Sequence, residues 1–201
     1  MKLEVKYSIN WKRRMCMIKV CFTGHRPNNK YLGGYEWTND KNIKIMLAIN
    51  ENVLDILKSN PNEEFRFITG GALGIDQMAF HIINIIKDRY DYNIQTEIAV
   101  PFINQPNAWF SQIDKNRYRK QLELANKITL VDEIPNYFCD GAMAAEYNPK
   151  KMQLRNMYMV DNSNVVIAVW DGSKKGGTYN CIQYAKSKNK RIIYINPKDI
   201  N

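Results

Sequence analysis

Short apolar runs in this chain alternate with longer stretches in which apolar residues return every three or four positions. The short runs predict strands at residues 18–24, 65–68, 94–100, 128–131, 165–170 and 191–195. The fifth of these is apolar at every position, as in a parallel strand buried on both faces. Helical spacing predicts a helix over 41–59, capped by Asn39 or Asp40, with Ile43, Met46, Leu47, Leu54 and Leu57 inward. A second helix opens at Ile75 and turns Met78, Ala79, Ile82, Ile83 and Ile86 to the core. A third is expected over 109–126 with Phe110, Ile113, Tyr118, Leu122 and Ala125 inward, a fourth over 150–160, and a fifth from Thr178 to about Lys188. Residues 132–148 show no period. Strand and helix alternate throughout, which predicts an α/β fold with a mainly parallel sheet and helices on both faces.

In such a sheet ligands bind beyond the carboxyl ends of the strands. The loops expected there are 23–27, 69–76, 101–109 and 170–178, and the unusual residue clusters of the chain fall on them. Gly70, Gly71 and Gly74 follow the second strand, and Gly176, Gly177 and Thr178 follow the fifth. Each group opens a helix, whose free N–H groups and dipole favour a phosphate. The same residues also read as a tight turn and an N-cap. Asp76 sits in a first helical turn, where it complements the dipole or meets a ribose hydroxyl. Thr23, Gly24, His25 and Arg26 leave the first strand at its ligand end. Trp109 and Trp170 are candidates for stacking on a base, or for core packing. Arg155 is either a bidentate phosphate ligand or a surface helix charge. Asp161 is a spare carboxylate for a polar site, whereas Asp171 reads as part of an Asp-Gly turn.

Composition narrows the picture only slightly. The 201 residues suit one domain over 17–201, preceded by a basic extension over 1–16. The net charge of +9 is partly carried by Lys2, Lys6, Lys12, Arg13 and Arg14 of that extension. The other cations scatter over helices, so nucleic acid is an open partner but not the favoured one. Self-association is left open. No run is long enough to span a membrane, and no secretory leader is visible. The four cysteines form no C-x-x-C pair, and His25 and His81 form no metal pattern, so a cytoplasmic protein without metal or cofactor is expected.

Taken as an ordered set, the motifs resemble the SLOG superfamily, a Rossmann-like group, and within it the YoqJ-like bacterial and phage branch. The matching residues are Thr23-Gly24-His25-Arg26-Pro27, Thr69-Gly70-Gly71-Ala72-Leu73-Gly74-Ile75-Asp76, Pro101-Phe102 with Gln105 and Trp109, Arg155-Asn156, Met159-Val160-Asp161, Val169-Trp170-Asp171-Gly172 and Gly176-Gly177-Thr178. The resemblance implies a pocket for an adenine nucleotide, ADP-ribose or a related NAD-derived signal, in a sensor or sequestering protein. Related LOG enzymes hydrolyse the N-glycosidic bond of nucleoside monophosphates with an arginine, matched by Arg155, and a glutamate. The glutamate position is Cys181 here, and a thiol is a poor substitute for a carboxylate beside an oxocarbenium-like centre. The resemblance therefore implies binding first. N-glycosidic hydrolysis and a DNA-binding module, as in the DNA-processing relatives, stand as alternatives, and no catalytic residue is assigned.

Overall fold

The computed structural model describes residues 16–200. The basic extension expected over 1–16 lies, apart from Cys16, outside the described residues. Six parallel strands form one sheet in the order β4-β3-β2-β1-β5-β6. They are β1 (Met17–Gly24), β2 (Glu64–Thr69), β3 (Ile94–Val100), β4 (Lys127–Leu130), β5 (Val165–Val169) and β6 (Arg191–Ile195). The helices are α1 (Asp40–Lys58), α2 (Ile75–Arg89), α3 (Gln112–Leu124), α4 (Pro149–Asp161) and α5 (Gly177–Ser187). This is the Rossmann-like α/β architecture that the alternation predicts.

Successive strand residues point to opposite faces, so a strand covered on both sides needs apolar residues at odd and even positions alike. Val20, Phe22, Phe65, Phe67, Val165 and Ile167 join α1 and α2 in one core. Cys21, Ile68 and Val166 join Met159 and Val160 of α4 and Cys181 and Ala185 of α5 in the other. The chain steps outward from β1 to β4, then returns to place β5 on the far side of β1. That reversal makes β1 and β5 the switch point, where two neighbouring strands send their loops apart and leave a crevice.

Two helices differ from expectation. In α1 the buried face is Asn42, Ile45, Ile49, Val53, Ile56 and Leu57, while Ile43 and Leu47 are exposed. The helix carries apolar residues on two faces, and the polar Asn42 selects between them. Its Oδ1 accepts from Gly33 N (3.0 Å) and its Nδ2 donates to Gly34 O (3.1 Å) and Glu36 O (2.8 Å), pinning the preceding loop. Helix α3 starts three residues late because Ser111 caps it, its Oγ accepting from Asp114 N (3.3 Å). Phe110 and Ile113 are consequently exposed, so that of the five residues expected inward only Tyr118, Leu122 and Ala125 pack against the core, joined by the polar Asp114 and Gln121.

The segment 132–148 lacks a period because polar anchors organise it. Lys151 of α4 is fully buried. It pairs with Asp132 Oδ2 (2.7 Å) and donates to Met143 O (2.6 Å) and Ala144 O (2.9 Å). Asp132 Oδ1 accepts from Cys139 N (3.2 Å). Among the described residues no helix is long and apolar enough to cross a membrane.

Candidate functional site

The loops after β1, β2 and β5 meet the start of α4 around a cavity of about 830 Å³. Of the residues predicted for a site, Thr23, Gly24, His25, Arg26, Asp76, Arg155, Gly176, Gly177 and Thr178 line it. The two glycine loops thus reach one cavity, but their glycines serve different ends. A Cβ on Gly70 would fall on the Arg155 guanidinium, and one on Gly71 would meet Tyr118 Cε2 at 2.6 Å. A Cβ on Gly74 would meet His25 O at 2.6 Å. The first loop is therefore glycine-rich to admit other parts of the protein. At Gly176 a Cβ would meet nothing within 4 Å, and at Gly177 only Asn156 Nδ2 at 4.0 Å. The second loop opens onto free space at the N-terminus of α5.

Arg155 is a buried residue and not a surface charge. Its Nη1 lies 2.8 Å from Asp76 Oδ2, which also accepts from Ala72 N (3.3 Å), while its Nε is buried without a partner. Asp76 thereby exceeds its expected role at the helix dipole: it fixes α4 to the start of α2. Arg26 stands at the cavity mouth with access to solvent. Desolvation by the surrounding protein lowers its pKa, as does the like charge of Arg155, while Asp76 opposes both. The guanidinium stays cationic, as arginine does in proteins.

His25 has a partner the sequence did not reveal. The backbone N–H of Asp171 donates to its Nε2 (3.1 Å), and Asp171 Oδ1 lies 3.0 Å away. Burial lowers the His25 pKa more than the Asp171 carboxylate raises it, so at neutral pH the ring is uncharged and Nε2 accepts. Burial alone would raise the Asp171 carboxyl. Hydrogen bonds from the Ser173 backbone N–H and Asn29, with His25, hold it well below its usual range. Asp171 does make the expected turn, through Ser173 N (2.9 Å), and also lines the cavity. Arg26, Lys30, Arg155 and Lys175 face two carboxylates, Asp76 and Asp171, both already engaged. The balance favours an anion.

Six predicted residues do not line this cavity: Gly70, Gly71 and Gly74, which pack against other parts of the protein, and Asp161, Trp170 and Trp109. Asp161 accepts from the hydroxyls of Tyr137 (2.8 Å) and Tyr184 (3.0 Å), clamping α4 to α5, and takes no part in the cleft. Trp170 donates from Nε1 to Ser173 O (2.9 Å) and stacks with Tyr179, bracing the 171–173 turn from outside. Trp109 lies in an adjoining chamber with Gln105, Phe102 and Tyr147. Sequence reasoning quoted Gln105 and Asn156 for their motifs and not for a site, and passed over Lys30 and Lys175 of the main cavity. Cys181 is buried in the core, its thiol pushed up to about 11 by burial despite a hydrogen bond with Thr23.

His25 and His81 together set a pH expectation. Desolvation lowers both, and Arg117 adds to the effect at His81. The unfolded chain then binds more protons than the folded one below about pH 6.5, the ordinary histidine pKa. Stability is fully present above that value and falls as the pH drops through the folded values. Urea midpoints should therefore decline between pH 7 and pH 5, and His81→Phe should flatten the decline. A midpoint unchanged over this range contradicts the assignment of two neutral histidines.

Comparison with known proteins shows the family and the fold. The YspA SLOG family matches residues 20–200. The SPbeta prophage-derived protein YoqJ of Bacillus subtilis strain 168 is 41% identical over 143 residues, covering 70% of this chain and 82% of YoqJ. A UPF0398 protein of Halalkalibacterium halodurans is 25% identical over 185 residues, covering 90% of this chain and 89% of that protein. A solved structure of DNA processing protein A from Helicobacter pylori, described for its single-stranded DNA binding mode, aligns with a TM-score of 0.50 at 19% identity. The alignment covers 88% of this chain and 64% of that one, and it speaks for the fold. The chain belongs to the YspA SLOG family.

Proposed function

We propose that the chain binds a nucleotide-derived small molecule, an adenine nucleotide, ADP-ribose or a related NAD-derived ligand, at the carboxyl edge of the sheet, as a sensor or sequestering protein. The observation that carries this reading is the open second glycine loop. Gly176 and Gly177 leave space before the N-terminus of α5, in a cavity where cationic side chains outnumber carboxylates. A phosphate there meets backbone N–H groups, the Thr178 hydroxyl and the helix dipole together. Arg155, held rigid by Asp76, adds charge from α4. Hydrolysis is less well supported, because the thiol at Cys181 is protonated and enclosed in the core.

ADP-ribose should raise the melting temperature. At about a hundredfold excess over Kd, linkage gives ~2.7 kcal/mol, or roughly 5–10 °C for a domain of this size. Gly177→Val tests the site directly. Its Cβ has room in the free protein, so the variant should fold, yet its side chain occupies the anion position and should abolish the shift. Single-stranded DNA is the competing ligand, given the Helicobacter pylori neighbour, and its binding would weaken steeply with salt. The nucleotide reading is lost if no nucleotide moves the melting curve while single-stranded DNA binds with such a slope.

A further inference from the structure

A chamber of about 440 Å³ adjoins the main cavity and shares Arg26, Tyr147 and Met152 with it. Its walls are aromatic. Phe102 meets Tyr147 edge-on, with ring centroids 6.2 Å apart, and Trp109 meets Tyr118 edge-on at 5.2 Å. Gln105 also lines the chamber and is only 5% exposed. Its Nε2 donates to Gly70 O (3.2 Å), which fixes the amide: a flip would set two carbonyl oxygens against each other. Its Oε1 is buried and has no donor. Gln77 and Gln121 also hold unpartnered amide oxygens, but neither lines this chamber or the main cavity. A buried acceptor without a donor is uncommon and calls for a partner.

Building on the nucleotide reading above, we infer that this chamber holds the ligand's base, and that the base carries an exocyclic amino group that donates to Gln105 Oε1. Trp109 and Tyr147 supply faces for stacking. The oxygen is closed off from water, so an amino group that reaches it displaces no hydration, and Nε2 keeps its bond to Gly70 O. An oxo group at the same place would oppose oxygen to oxygen and leave Gln105 unsatisfied. Arg26, common to both cavities, stands where the ribose-phosphate link passes between them. Gly70 couples the two ends, since its carbonyl holds Gln105 while its Cα gives way to Arg155.

Isothermal titration of the full chain with AMP, IMP and ribose 5-phosphate tests this. AMP should bind about tenfold or more tighter than IMP, the equivalent of one lost hydrogen bond, and tighter than ribose 5-phosphate. Gln105→Met should erase the preference for AMP over IMP. Trp109→Ala should weaken AMP by about tenfold and leave ribose 5-phosphate unchanged, as expected for lost stacking. Equal affinity for AMP and IMP overturns the inference, as does an equal loss for AMP and ribose 5-phosphate in Trp109→Ala. If ribose 5-phosphate binds and the base adds nothing, the base chamber alone is refuted. If ADP-ribose raises the melting temperature but none of the three binds, the base chamber is refuted and the nucleotide reading stands; if no nucleotide binds and single-stranded DNA does, that reading falls and takes the chamber with it.

Discussion

Arg155→Ala is expected to cost about 3–5 kcal/mol of folding free energy, the usual penalty for leaving one member of a buried ion pair alone. The side chains of Arg155 and Asp76 are 5% and 9% exposed, and 2.8 Å separates Nη1 from Oδ2. Removing the guanidinium leaves a carboxylate whose remaining partner is the Ala72 N–H at 3.3 Å. The pair spans 79 positions in sequence and closes the carboxyl end of the sheet, so no local rearrangement replaces it. The reverse change, Asp76→Ala, should cost a similar amount by stranding the arginine. The double variant Arg155→Met/Asp76→Leu should recover much of the loss, because an apolar pair carries no desolvation penalty. Urea unfolding of the four proteins gives the coupling energy. Additive losses would mean that the two charges act independently. Nucleotide binding should not recover with stability, because the double variant lacks the cation.

The sheet was legible because its strands are chemically unambiguous. Residues 94–100 and 191–195 form strands with the expected ends, and β5 ends one residue early, at Val169. A continuous apolar run leaves little choice of structure when the sheet is covered on both faces. The register of α1 was less legible, because two apolar faces compete and the winner depends on Asn42, a polar residue bound to the loop that precedes the helix. In α3 the cap at Ser111 overrides apolar spacing upstream of it. Both errors have one cause: periodicity reports which residues prefer burial, while caps and side-chain hydrogen bonds decide which of them achieve it.

The site was legible as a set of loops and less so as roles. Sequence places Arg155 and Asp76 79 positions apart, and nothing in either neighbourhood announces that they pair. The tyrosines that bind Asp161 come from the unreadable 132–148 segment and from α5, so its diversion from the cleft is visible only in three dimensions. The two glycine loops look equivalent in sequence, since both follow a strand and open a helix. They differ in what lies opposite each Cα, which is a property of packing alone.

That difference yields the second large effect, at Gly70. Its backbone is not in the left-handed region, so the conformation itself does not demand glycine. An added methyl would ordinarily stabilise slightly by restricting the unfolded chain. Here it overlaps the Arg155 guanidinium and approaches Asp76 Oδ2 to 2.6 Å. Overpacking costs about 1–3 kcal/mol by itself. Displacing Arg155 adds the penalty of the broken pair, so Gly70→Ala should cost roughly 4–8 kcal/mol in total. The decisive measurement repeats the substitution in the Arg155→Ala background. With the guanidinium gone, the methyl enters vacated space and should cost about 1 kcal/mol or less, its remaining conflict being with Asp76. Gly177→Ala is the control, because its Cβ meets nothing closer than Asn156 Nδ2 at 4.0 Å and should leave the urea midpoint nearly unchanged. A Gly70→Ala cost that is the same in both backgrounds would show that the glycine answers to something other than Arg155.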